Sequence, residues 1–247
     1  MREGDVEHGF LVHPEEGTHP GVVLLPDVRG IYEHFRELGR RLAGEGFAVL
    51  VADLYRRTGR PTVTDASSAM RWIAELDDRI VLEEVRGSVD FLRGHPAVGG
   101  RRTGIMGFCM GGQYALLAAC TLSGIAAAVS FYGMIRYAPD LDRSKKPRSP
   151  LEAARDLRCP LLGLYGAEDA LIPLEDVRAF EEAARASGQP VEFRVYPEAG
   201  HAFLNDTQPE RFRPEAAADA WRRAVAFLRA RLGAGGGSGA PAFGRGC

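Results

Sequence analysis

The 247-residue chain predicts an α/β fold with a mostly parallel central sheet and helices on both faces, on three observations. Short β-rich runs alternate with longer stretches of helical period. The segment 103–135 contains no charged residue, yet Gly104, Gly107, Gly111, Gly112, Gly124 and Gly133 divide it into strand, turn, helix and second strand rather than a membrane span. No internal repeat or change of composition separates two units, so residues 1–232 are expected to form one domain.

The strands are expected at residues 6–12, 21–25, 48–52, 103–107, 126–131, 160–165 and 192–196. Runs such as Gly21-Val22-Val23-Leu24-Leu25 and Ala48-Val49-Leu50-Val51-Ala52 are apolar throughout, as strands covered on both faces must be. Between them, residues 32–44 form a helix with Gly46 near its C-terminal end. Ala69, Ile73, Leu76, Ile80, Val85, Val89 and Leu92 recur every three to five positions, which predicts one long helix whose polar side carries Arg71, Asp78, Arg79 and Arg86. Further helices follow Cys109 and span 174–187 and 214–232. Residues 138–150, polar and Pro-bearing, read as a mobile surface loop near the sheet edge or the mouth of a site. Residues 233–247 hold seven glycines in fifteen positions and read as a disordered tail.

Composition narrows the functional classes. The 31 basic and 33 acidic residues leave a formal charge of -2, which lacks the electrostatic footprint of a nucleic-acid or anionic-membrane binder. The charged start has no apolar signal-peptide core. Cys109, Cys120, Cys159 and Cys247 are too far apart for a disulfide framework or a zinc pattern, so a reducing cytoplasm is expected; the histidines show no ligand spacing and no Gly-rich phosphate loop appears, so no metal and no cofactor are expected.

Gly107-Phe108-Cys109-Met110-Gly111 carries the most chemical information. It is a G-x-nucleophile-x-G elbow between a strand and a helix, with cysteine where serine is usual. Glycines are needed there because a flanking side chain would strike neighbouring backbone. The turn sets the thiol at a helix N-terminus and leaves the Met110 N–H free to face an oxyanion. The alternative is a small buried apolar cysteine in a Gly-rich turn. In this architecture the chain order is nucleophile, acid, histidine. Five of the six histidines precede Cys109, so the base is His201. Asp169, at the turn ending the strand before it, is the expected acid that fixes the imidazole tautomer, with Glu168 as the fallback. The loop Leu25-Pro26-Asp27-Val28-Arg29-Gly30 supplies the second oxyanion donor, the Val28 N–H. Asp27 has two readings: a group that gates the thiol, or an Asx cap of the turn around Gly30.

The elbow G-F-C-x-G-G, the acid in G-A-E-D, the final G-H-x-F and the early P-D-V-R-G-I followed by A-D-L-Y together resemble the dienelactone hydrolase family, from about residue 21 to residue 232. The resemblance implies an α/β-hydrolase fold and a Cys-Asp-His triad that opens an enol-lactone through an acyl-enzyme. By position those roles fall to Cys109, Asp169 and His201. The family's loop holds a carboxylate, usually Glu, that contacts the resting cysteine; here Asp27, one methylene shorter, stands in its place. Family members acting on dienelactone hold the substrate carboxylate with arginines, one of them four residues after the histidine, and that position is Asn205 here. Arg29, Arg71 and Arg79 are candidates to substitute. The expectation is a carboxymethylenebutenolidase-like hydrolase of small esters or lactones, monomeric or a small homo-oligomer. A general carboxylesterase or thioesterase acting on a neutral substrate, and a non-catalytic protein of the same fold, are the alternatives.

Overall fold

The computed structural model describes residues 1–233; residues 234–247, and with them most of the expected tail, lie outside the described residues. Eight strands form one sheet: β1 (Arg2–Val6), β2 (Gly9–His13), β3 (Gly21–Leu25), β4 (Ala48–Ala52), β5 (Thr103–Phe108), β6 (Ala128–Phe131), β7 (Leu161–Gly166) and β8 (Val191–Tyr196). Their spatial order is β1-β2-β4-β3-β5-β6-β7-β8, antiparallel at β1/β2 and β2/β4 and parallel elsewhere. The helices are α1 (Glu33–Gly44), α2 (Ala66–Glu75), α3 (Asp78–Gly94), α4 (Met110–Thr121), the single turn α5 (Pro150–Ala153), α6 (Leu174–Arg185) and α7 (Pro214–Leu232). None among the described residues is long and apolar enough to cross a membrane.

The central strands β3, β4, β5, β6 and β7 are buried along their whole length, as their unbroken apolar runs require. Helices α3, α4, α5 and α6 pack in a contiguous row. Helix α7 returns to pack beside α1, where the Arg41 guanidinium lies 4.5 Å from the Trp221 ring. Strand order reverses beside β3 and β5, and the C-terminal ends of these strands open the crevice in which α/β folds place ligands.

Three expectations are corrected. The strand predicted at 6–12 is a hairpin: the chain turns at Glu7 and His8, and β1 is an exposed polar edge strand whose sequence has no apolar alternation to announce it. The long helix of residues 69–92 breaks at Leu76 and Asp77, whose extended backbone separates α2 from α3; Asp77 caps α3 by accepting from the Arg79 N–H at 2.9 Å. The loop 138–150 is not simply a surface loop, because it delivers a fully buried lysine. Lys146 Nζ lies 2.7 Å from Asp78 Oδ1, and the hydroxyls of Tyr114 and Tyr137 donate to the same carboxylate at 2.9 and 2.8 Å. Asp78, expected on the polar side of its helix, is thus interior. Burial pushes the Lys146 ammonium below its ordinary range against the opposing pull of Asp78.

Removing one partner of this pair strands a buried charge. Asp78→Ala is expected to cost about 3–5 kcal/mol, measured by urea unfolding. The double change Asp78→Leu with Lys146→Met should recover part of that loss, the remainder being the Tyr114 and Tyr137 hydroxyls left without their acceptor; equal instability of the single and double variants would refute this account of the network.

Candidate active site

The elbow is built by close backbone approach. A Cβ on Gly107 would lie 2.0 Å from the Gly111 carbonyl oxygen, and one on Gly111 would lie 2.1 Å from that of Leu25. Neither position admits any side chain. Between them Cys109 adopts φ 54, ψ -116, a sparsely populated conformation that costs about 1–3 kcal/mol and persists only where the surroundings enforce it. Two hydrogen bonds do so: Cys109 N–H donates to Phe131 O at 3.1 Å, and Gln113 N–H to Cys109 O at 3.0 Å. Cys109 is partly exposed at the start of α4, whereas Cys120 and Cys159 are buried. Burial pushes both of those thiols up to about 12.

His201 follows β8 on the loop that Ala202 turns with φ 62. Its Nδ1 lies 2.8 Å from Asp169 Oδ2, and the other oxygen of Asp169 accepts from the Leu171 N–H at 2.9 Å. That second bond fixes the carboxylate, which in turn fixes the imidazole. Glu168, the fallback acid, is exposed. His201 Nε2 is buried without a hydrogen-bond partner, although Cys109 shares its cleft. Burial alone would lower the imidazole pKa. The neighbouring Cys109 sulfur, and after it the bond to Asp169, outweigh that and raise it to about 10. The ring packs edge-on against Tyr132, with centroids 5.2 Å apart.

Among the described residues no acceptor takes the amide of Val28 or that of Met110. Tyr55, within the A-D-L-Y segment, links the two residues: its hydroxyl donates to Val28 O at 2.6 Å and lies 3.3 Å from Met110 Sδ. Asp27 caps its own turn. One oxygen accepts from the Arg29 N–H at 2.9 Å, and the other receives Arg29 Nη2 at 2.6 Å and the Tyr32 hydroxyl at 3.2 Å. No hydrogen bond joins it to Cys109, so of its two readings the Asx cap is the one with contacts. Asn205 Nδ2 donates to the Tyr32 hydroxyl at 3.1 Å while its Oδ1 accepts from Thr207.

These groups share a cleft of about 290 Å³. Cys109, His201, Asp27, Val28, Arg29 and Asn205 line it. Arg79 does not: it is exposed and bound to Asp77 at 2.7 Å and to the Ser144 carbonyl, so the expected contact with substrate is not formed by this residue. Arg71 is likewise outside, donating to Ser67. Sequence reasoning missed Tyr55, Tyr132 and the cleft-facing residues of α2. Tyr55 stood within a recognised segment, but nothing in a linear sequence shows which carbonyl a hydroxyl will reach. The described residues contain no group of His, Cys, Asp and Glu side chains arranged to hold a metal ion.

Comparison with known proteins places this geometry in context. The profile of the Dienelactone hydrolase family matches residues 8–232. A Methylorubrum extorquens protein provisionally named carboxymethylenebutenolidase is 34% identical over 93% of the chain and 78% of its own length. A Bradyrhizobium protein provisionally named 2-oxo-3-(5-oxofuran-2-ylidene)propanoate lactonase is 34% identical over 93% and 91%. A crystal structure from Klebsiella pneumoniae, provisionally called a dienelactone hydrolase, superposes with a TM-score of 0.81 at 34% identity, covering 89% of this chain and 91% of that one.

Because the Cys109 sulfur is the largest influence raising the His201 pKa, Cys109→Ala should move the imidazole midpoint down from about 10. An NMR titration of the ring protons reads this directly. An unchanged midpoint would show that sulfur and imidazole are not coupled.

Proposed function

The chain belongs to the dienelactone hydrolase family, hydrolases of ester and lactone bonds, and from that premise we propose that it opens an activated lactone or ester through a thioester on Cys109. The single observation that carries this reading is the convergence of a strained, partly exposed cysteine and an Asp-oriented histidine on one cleft. In the first step the Cys109 sulfur attacks the carbonyl carbon with its proton carried on His201 Nε2, where a pKa raised to about 10 keeps it at neutral pH. The carbonyl π electrons move to oxygen, which the Val28 and Met110 N–H groups receive. Collapse restores the carbonyl and breaks the bond to the leaving oxygen, which takes the proton from His201. Water then attacks the thioester with His201 as base, and sulfur leaves with the returned proton.

A thiolate departs more readily than an alkoxide, so the first intermediate partitions forward only when the leaving oxygen is itself stable as an anion. This favours enol-lactones, aryl esters and thioesters over amides and simple alkyl esters. Near-neutral charge supports an enzyme acting on small molecules rather than on nucleic acid.

Cys109→Ala is expected to abolish hydrolysis of an activated aryl ester with the circular dichroism spectrum unchanged; wild-type turnover in that variant ends the cysteine assignment. Iodoacetamide, mapped by peptide mass spectrometry, should label Cys109 ahead of Cys120 and Cys159. Tyr55→Phe frees the Val28 carbonyl and loosens both oxyanion donors. It should lower kcat about tenfold or more with KM little changed, since loss of a whole donor costs about 10²–10³; a change confined to KM would contradict this role.

A further inference from the structure

Helix α2 has one fully buried side chain, Ile73. Its apolar face, Ala66, Ala69, Met70 and Ile73 at i, i+3, i+4 and i+7, lines the catalytic cleft. Met70 is 38% exposed and Leu171, in the turn after β7, 47%. Apart from Met1 these are the exposed large hydrophobics among the described residues, and both border this cleft. Exposed apolar side chains gathered on a concave site mark a ligand surface.

In the lining, His201 is held by Asp169 at 2.8 Å. Arg29 is held by Asp27 at 2.6 Å. Asp65, the other acid, accepts from the Ser68 N–H at 2.7 Å as the N-cap of α2. Arg211, also in the lining, has its side chain 47% exposed and an ion pair to Glu210 at 3.9 Å. Asn205 is neutral and its amide is spent on Tyr32 and Thr207. Among the described lining residues Arg211 alone lacks a close counter-ion, and with half of its side chain in solvent it repays little of the desolvation of a carboxylate carried into the cleft.

We propose that α2 is the specificity wall of this site, and that it receives an uncharged apolar substituent on the lactone or ester rather than a carboxylate. The inference rests on the cysteine-hydrolase reading above. The volume of about 290 Å³, at the low end of small-molecule sites, restricts that substituent to a short chain or a small ring.

The test uses one activated ring in three forms: a carboxymethylene butenolide as free acid, as methyl ester and as propyl ester, with lactone opening followed by absorbance. For the wild-type protein kcat/KM should rise about tenfold from free acid to methyl ester, and about fifteenfold again to propyl ester, at roughly fourfold for each of the two added methylenes. Met70→Lys should abolish the propyl gain and shift preference toward the free acid by about tenfold; Met70→Ala should reduce the propyl gain alone. Both readouts are ratios within one protein preparation, so a change in overall activity does not blur them. A wild-type preference for the free acid, or ratios unmoved by Met70→Lys, overturns the α2 assignment while leaving the cysteine reading intact. Ring opening that survives Cys109→Ala overturns the cysteine reading instead.

Discussion

The site depends on one steric constraint: the backbone at Cys109 must turn from β5 into α4 in a space too narrow for a side chain on either flank. Gly107 and Gly111 each approach a carbonyl oxygen to within 2.0–2.1 Å of where a Cβ would sit. That closeness brings the loop after β3 against the elbow, and so sets Val28 beside Met110. The strain at Cys109 is sustained by the bond from its N–H to β6 and by the first turn of α4. The His201 imidazole, the Asp169 carboxylate and the Val28 and Met110 N–H groups all take their positions relative to a sulfur placed by this packing.

The parts of this arrangement that a sequence could reveal are those written in local chemistry or in order along the chain. The apolar runs of β3 and β4 have no other stable placement than the centre of a sheet, and the elbow glycines are explicable only by close approach. His201 was found because no other histidine follows Cys109. What escaped was set by tertiary pairing. The period of α2 runs on smoothly into α3, and only the capping carboxylate of Asp77 marks the break. Lys146 and Asp78 look like solvated charges until the chain brings them together in the interior. Arg79 carries the right charge for an anionic substrate but faces Asp77, a relation that no residue count discloses.

The polar chain at the floor of the cleft follows from two residues that depart from the family pattern the sequence resembles. Asp27 bends back onto the N–H and guanidinium of Arg29, and Asn205 closes the chain through the Tyr32 hydroxyl. The result is a self-satisfied network in which the guanidinium of Arg29 is paired with Asp27. Recognition then shifts to apolar contact, which α2 offers because its apolar stripe has the cleft, and not the sheet, to cover it.

The most direct test is to catch the covalent intermediate. The protein is mixed with a slowly deacylating aryl ester, quenched in acid within the first turnover, digested and analysed by mass spectrometry. The account predicts one acyl group, joined as a thioester to Cys109, that forms and decays at rates matching turnover. Full turnover with no acyl group on Cys109, or with the group on another residue, contradicts it.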